Sequence, residues 1–92
     1  MLALAASERV LGAEHPHTLT SVNNLAGLYR SQARYEEAEP LYLRALAARE
    51  RVLGAEHPDT LSSVNSLAHL YRSQERFEEA AKLLSRFGLG IR

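Results

Sequence analysis

From residue 16 onward, apolar side chains return every three or four positions: Leu19, Val22, Leu25, Ala26 and Tyr29. That spacing marks one buried side of an α-helix. A polar stretch from Ser31 to Arg34 breaks the stripe. A second one follows through Tyr35, Ala38, Leu41, Tyr42, Ala45 and Leu46, and runs on to Val52 and Leu53. Gly12 and Gly54 stand where a helix needs a residue tolerant of left-handed backbone in order to stop. Pro16 and Pro58 stand at first-turn positions, where a missing N–H costs nothing. The pattern predicts helices near residues 2–11, 16–32, 35–53, 58–74 and 77–87, and no strands. Pro40 falls inside the third of these, a turn or so after its start, so a mild bend is expected rather than a break.

Shifted by 42 positions, the sequence largely returns on itself, and residues 1–42 share 30 identities with residues 43–84. The run Glu8 to Pro16 recurs letter for letter as Glu50 to Pro58, and Leu28 to Gln32 recurs as Leu70 to Gln74. A fixed period of this length is the mark of stacked helical repeats. Three segments result: the tail of a preceding second helix at 1–12, one repeat at 13–54, and a second repeat with an irregular C-terminus at 55–92. The irregularity is that Phe87 replaces Ala45, while Gly88 and Gly90 interrupt the expected helix extension. Gly27 has His69 as its counterpart. A position that accepts both is expected to face away from the core.

The residues Val22, Leu25, Ala26 and Tyr29, then Tyr35, Ala38, Tyr42 and Ala45, resemble the tetratricopeptide signature of alternating large and small side chains. The second copy supplies Val64, Leu67, Ala68, Tyr71, Phe77, Ala80 and Leu84. The 42-residue period is similar to the longer repeats of kinesin light chains. The resemblance implies an all-α fold, a right-handed α-solenoid of antiparallel helix pairs whose first helices line a concave face. It also implies that this face binds a peptide or a partner protein. Asn23, Asn24, Arg30, Asn65, Ser66, His69 and Arg72 lie opposite the core stripe and are the candidate peptide-binding residues. Asparagine can donate to and accept from the backbone of an extended guest, and arginine offers a planar fork to a carboxylate or phosphate. The plainer alternative is that these side chains are only a solvated helix face.

Composition narrows the function further. Eleven basic and eleven acidic side chains cancel, so no basic excess points to nucleic acid or to a membrane surface. The chain has no cysteine, which removes disulfides, thiol catalysis and Cys-ligated zinc. The apolar start, Met1 to Ala6, is too short for a membrane span and lacks the charged flank of a signal peptide, so a cytoplasmic setting is expected. His15-Pro16-His17 could pair on a metal, but its repeat is His57-Pro58-Asp59, and a helix-entrance role is expected instead. Neighbouring carboxylates such as Glu36-Glu37 diverge by about 100° on a helix and cannot converge on one substrate. Neither enzyme activity nor a cofactor is expected. The competing reading is a structural module that oligomerises with itself through the apolar residues of uncapped terminal helices.

Overall fold

The computed structural model describes residues 15–89, which form four α-helices: α1 (Pro16–Ser31), α2 (Tyr35–Leu53), α3 (Pro58–Ser73) and α4 (Phe77–Arg86). The helix expected near residues 2–11, its terminator Gly12 and the end at Gly90 lie outside the described residues. The other four predicted helices are present with ends within a residue of expectation, and there is no strand among the described residues.

Local chemistry explains where each helix begins and ends. His15 and His57 are N-caps: each Nδ1 accepts the backbone N–H two residues on, at 3.1 and 3.0 Å. Proline follows at the first position of both helices, as expected. The turns after α1 and α3 place Ala33 and Glu75 in left-handed backbone, at φ 59° and 60°. Two backbone bonds close each turn, Ala33 N–H to Arg30 C=O and Arg34 N–H to Tyr29 C=O, with the same pair at Glu75 and Arg76. This is the Schellman arrangement, made here without glycine. Gly54 (φ 95°) ends α2 after 19 residues, whereas Gly88 (φ 74°) ends α4 after 10. Pro40 sits inside α2 without interrupting it.

The helices pack in sequence order, α1 on α2, α2 on α3 and α3 on α4, with α1 also beside α3. This is an all-α solenoid of helix pairs. Val64, Leu67, Leu70 and Tyr42 fill its core, and Ala26, Ala38, Ala68 and Ala80 let the backbones approach closely. Phe77 behaves differently from the rest of the signature, being 60% exposed. Its counterpart Tyr35 is half-buried with the core behind it, because a second helix pair stacks beyond α2 and none of the described residues stacks beyond α4.

Polar locks join the two pairs. Arg49, 8% exposed, reaches from α2 into α3, where Nη1 donates to Ser63 Oγ at 2.8 Å and to the Asp59 carbonyl at 3.2 Å. Arg76 Nη1 donates to Glu39 Oε1 at 2.7 Å, and its guanidinium also pairs with Glu79 and lies over the Tyr71 ring. The hydrogen bonds to Glu79 and Glu39 raise the Arg76 pKa further above its ordinary value. Glu79 is held below the usual carboxylate range by the same contact with Arg76. Burial pushes the Tyr71 phenol up, with Glu39 adding to the shift.

Candidate functional site: a cleft between the first helices

Because each first helix is followed by a second that folds back over it, α1 and α3 come side by side on one surface of the stack. An open cleft of about 380 Å³ lies between them, lined by Arg30 from α1 and by Ser62, Asn65, Ser66 and His69 from α3. These four α3 positions fall three and four residues apart, so they share one helix face. Among the described residues, no carboxylate lines the cleft.

Arg30 is the residue whose direction is fixed. Its Nε donates to the Tyr42 hydroxyl at 3.3 Å, and that tyrosine is 2% exposed. A guanidinium tethered through Nε keeps its two terminal nitrogens available as a planar fork. The tether was not legible from the stripe, which marks Tyr42 only as core. A signal did exist in the register, since the counterpart of Tyr42 is Leu84, so the second pair cannot repeat the contact. Arg72, the counterpart of Arg30, is exposed.

Of the seven candidate residues, Arg30, Asn65, Ser66 and His69 are brought together in the cleft, while Asn23, Asn24 and Arg72 do not line it. Asn23 is half-buried, with its Oδ1 enclosed and lacking a partner, whereas Asn65 at the same place in α3 is exposed. Ser31 and Ser73 turn their hydroxyls back onto the carbonyls of Gly27 and His69, each at 3.0 Å. Gly27 is not required for space, because a Cβ there would meet the Tyr42 hydroxyl at an ordinary 3.6 Å.

The other constellations resolve into structural roles. Glu37 pairs with Arg34, whose Nε donates to it at 2.8 Å, and this contact holds the Glu37 carboxyl below its usual range. The Arg34 guanidinium stacks 4.4 Å over Tyr29. His15 and His17 stand 5.4 Å apart with tilted rings, and His15 Nδ1 is occupied as a helix cap. Among the described residues no three His, Asp or Glu side chains gather to hold a metal, and no helix is long and apolar enough to cross a membrane.

Comparison with known proteins bears on this geometry. The tetratricopeptide repeat model matches residues 2–51 and again residues 19–86. No curated protein matches the chain. Among solved structures, the crystal structure of a Podospora anserina protein assigned to the kinesin light chains, with nearly identical TPR-like repeats, is similar at 32% identity and a TM-score of 0.83. The match covers 91% of this chain and 40% of that one, so the chain spans less than half the length of its structural relative.

Proposed function

The chain belongs to the tetratricopeptide repeat family, whose repeats serve as non-catalytic scaffolds for protein–protein interaction, and from that premise we propose that it holds an extended peptide in the cleft between α1 and α3. The observation that carries the reading is the lining itself. Arg30, Asn65, Ser66 and His69 come from two different helices onto one open surface that no acidic side chain among the described residues lines, and Arg30 is pre-set by a buried tyrosine. Asn65 would pair with a backbone amide of the guest through its own N–H and C=O. Ser62 and Ser66 add hydroxyls that can donate or accept. Arg30 would take a carboxylate on its free fork, with His69 as a further donor at the cleft wall. Asn24 and Arg72, exposed on the same helices, would extend the contact along a longer guest, while Asn23 contributes less because its oxygen is already enclosed.

The guest that fits is an unstructured segment with an acidic side chain, since Arg30 attracts one and no carboxylate among the described residues lines the cleft to repel it. A solvated face with no ligand is the competing account, and affinity selection separates the two. Panning a random peptide library on the 92-residue chain should enrich sequences containing Asp or Glu. Asn65→Ala combined with Arg30→Ala should then weaken the selected peptides by more than about tenfold, which corresponds to about 1.4 kcal/mol, with the helical circular dichroism unchanged. Failure to enrich any sequence, or equal binding by the double variant, rejects the cleft as a site.

A further inference from the structure

The two outer faces of the stack carry the two halves of a joint that the molecule already makes in its middle. In that internal joint, the inward side of the second pair presents Leu67, Leu70 and Tyr71, which are 1, 0 and 9% exposed, together with Arg76. The outward side of the first pair presents Tyr35, Glu39 and Tyr42, and Arg76 bridges to Glu39 across the seam.

Forty-two residues earlier, Leu25, Leu28, Tyr29 and Arg34 rebuild the inward surface on α1 and its following turn. Arg34 stacks on Tyr29 and pairs with Glu37 just as Arg76 stacks on Tyr71 and pairs with Glu79. Here Leu28 is 51% exposed and Arg34 is exposed, while Leu25 and Tyr29 are half-buried. At the other end, α4 repeats the first half of α2, with Phe77 for Tyr35, Ala81 for Glu39 and Leu84 for Tyr42. Phe77 and Ala81 are exposed and Leu84 is half-buried.

Independently of the peptide cleft, we propose that a second copy of this chain docks head to tail, α4 of one molecule against α1 of the next. The register puts Phe77, Ala81 and Leu84 where Tyr35, Glu39 and Tyr42 stand in the internal joint. What selects a second copy over an unrelated partner is continuity. The inward set, Leu25, Leu28, Tyr29 and Arg34, is identical to the one already docked inside the molecule, and α4 offers it the same three outward positions with substituted side chains. The pairing is heterologous, so each added copy exposes the same two faces again and growth does not close. It is also weaker than the internal joint, because Ala81 offers Arg34 no second carboxylate.

The test is sedimentation velocity on the 92-residue chain across a low- to high-micromolar series. The average mass of the wild type should climb with concentration without a plateau at the dimer. Leu28→Asp and Phe77→Asp each spoil one face at an exposed position, so each alone should stay monomeric with unchanged helical circular dichroism. Mixed together they should form a 1:1 dimer and nothing larger, since each keeps the face the other has lost. Ala81→Glu restores the missing partner for Arg34 and should tighten self-association by roughly threefold, an effect that fades at high salt. A wild type that remains monomeric throughout overturns the proposal. So does a mass that stops at the dimer, a mixture of the two Asp variants that fails to pair, or an Ala81→Glu variant that associates no better than the wild type.

Discussion

Leu28 and Leu70 occupy the same place in two helices of nearly identical sequence, yet Leu28 is 51% exposed and Leu70 has no exposed surface. The rest of the two pairs sorts in the same way. Ser63 and Leu67, on the inward side of α3, are buried, while Ser21 and Leu25 are only half-buried. On the outward side the order reverses: Leu19 and Tyr42 are 2% exposed, whereas Leu61 and Leu84 are half-buried. A third set does not vary. Thr18 and Thr60, Val22 and Val64, Ala26 and Ala68, and Ala38 and Ala80 are buried in both pairs. Burial here has two sources. One belongs to the helix pair itself, and the other is lent by whichever pair stacks next to it, as in any quasi-one-dimensional array.

The largest test of that division removes the leucines. Leu70→Ala should cost about 2–4 kcal/mol by loss of buried surface and cavity formation, while Leu28→Ala should stay within about 0.5 kcal/mol. Urea denaturation of the two variants measures both, and similar costs would break the comparison. The polar lock comes next. Arg49→Ala strands the fully buried Ser63 hydroxyl and should cost about 1–3 kcal/mol. Arg49→Met keeps the packed stem and removes the burden of a desolvated charge, so its cost should be the smaller. Equal costs for the two variants would show that the polar contacts to Ser63 and Asp59, rather than the stem, hold the joint.

The same division explains what the sequence made legible. Helix starts and stops are local, so His15, Pro16, Gly54 and Gly88 could be read without a neighbour. The invariant core set is nearly local too, since its partners lie within one period and carry the three- and four-residue stripe. The between-pair features were out of reach of the stripe. Arg49 gives no hint of burial in a pattern that reads Arg as surface, because its partners Ser63 and Asp59 lie in the next helix. Asn23 and Asn65 look equivalent in sequence and differ in exposure because α3 lies beside α1 while no further first helix lies beside α3 among the described residues. In the cleft, residue types were legible and their convergence was not. Arg30 and His69 are brought together only by the angle between two pairs.

A smaller effect sharpens the invariant set. Thr18 and Thr60 each bury a hydroxyl with no hydrogen-bond partner, which costs desolvation without return. Thr18→Val and Thr60→Val should each stabilise the fold by up to about 1 kcal/mol, seen as a melting temperature higher by about 4–8 °C. Since both positions belong to the part buried by its own pair, the two gains should be alike. A gain at one and a loss at the other would mean that stacking reaches further into the pair than the exposures indicate.

The smallest effect lies in the turns within each pair, at Ala33 and Glu75. Left-handed backbone costs an L-residue about 1–2 kcal/mol, and glycine relieves it. Glycine also enlarges the conformational freedom of the unfolded chain, which takes back about 0.4–1 kcal/mol. Ala33→Gly and Glu75→Gly should therefore each add about 0.5–1 kcal/mol in thermal or urea denaturation. The geometry of the two turns is the same, with φ 59° and 60° and matching closing bonds of 2.9 and 2.8 Å. Their surroundings are not, because Arg76, next to Glu75, carries the bridge to Glu39 and Arg34, next to Ala33, lies on the open face. Equal gains would confine the difference between the pairs to the faces that stack. A smaller gain at Glu75 would mean that the joint already holds its turn in place, so that freeing the backbone there loosens the Arg76 lock as fast as it relieves the strain.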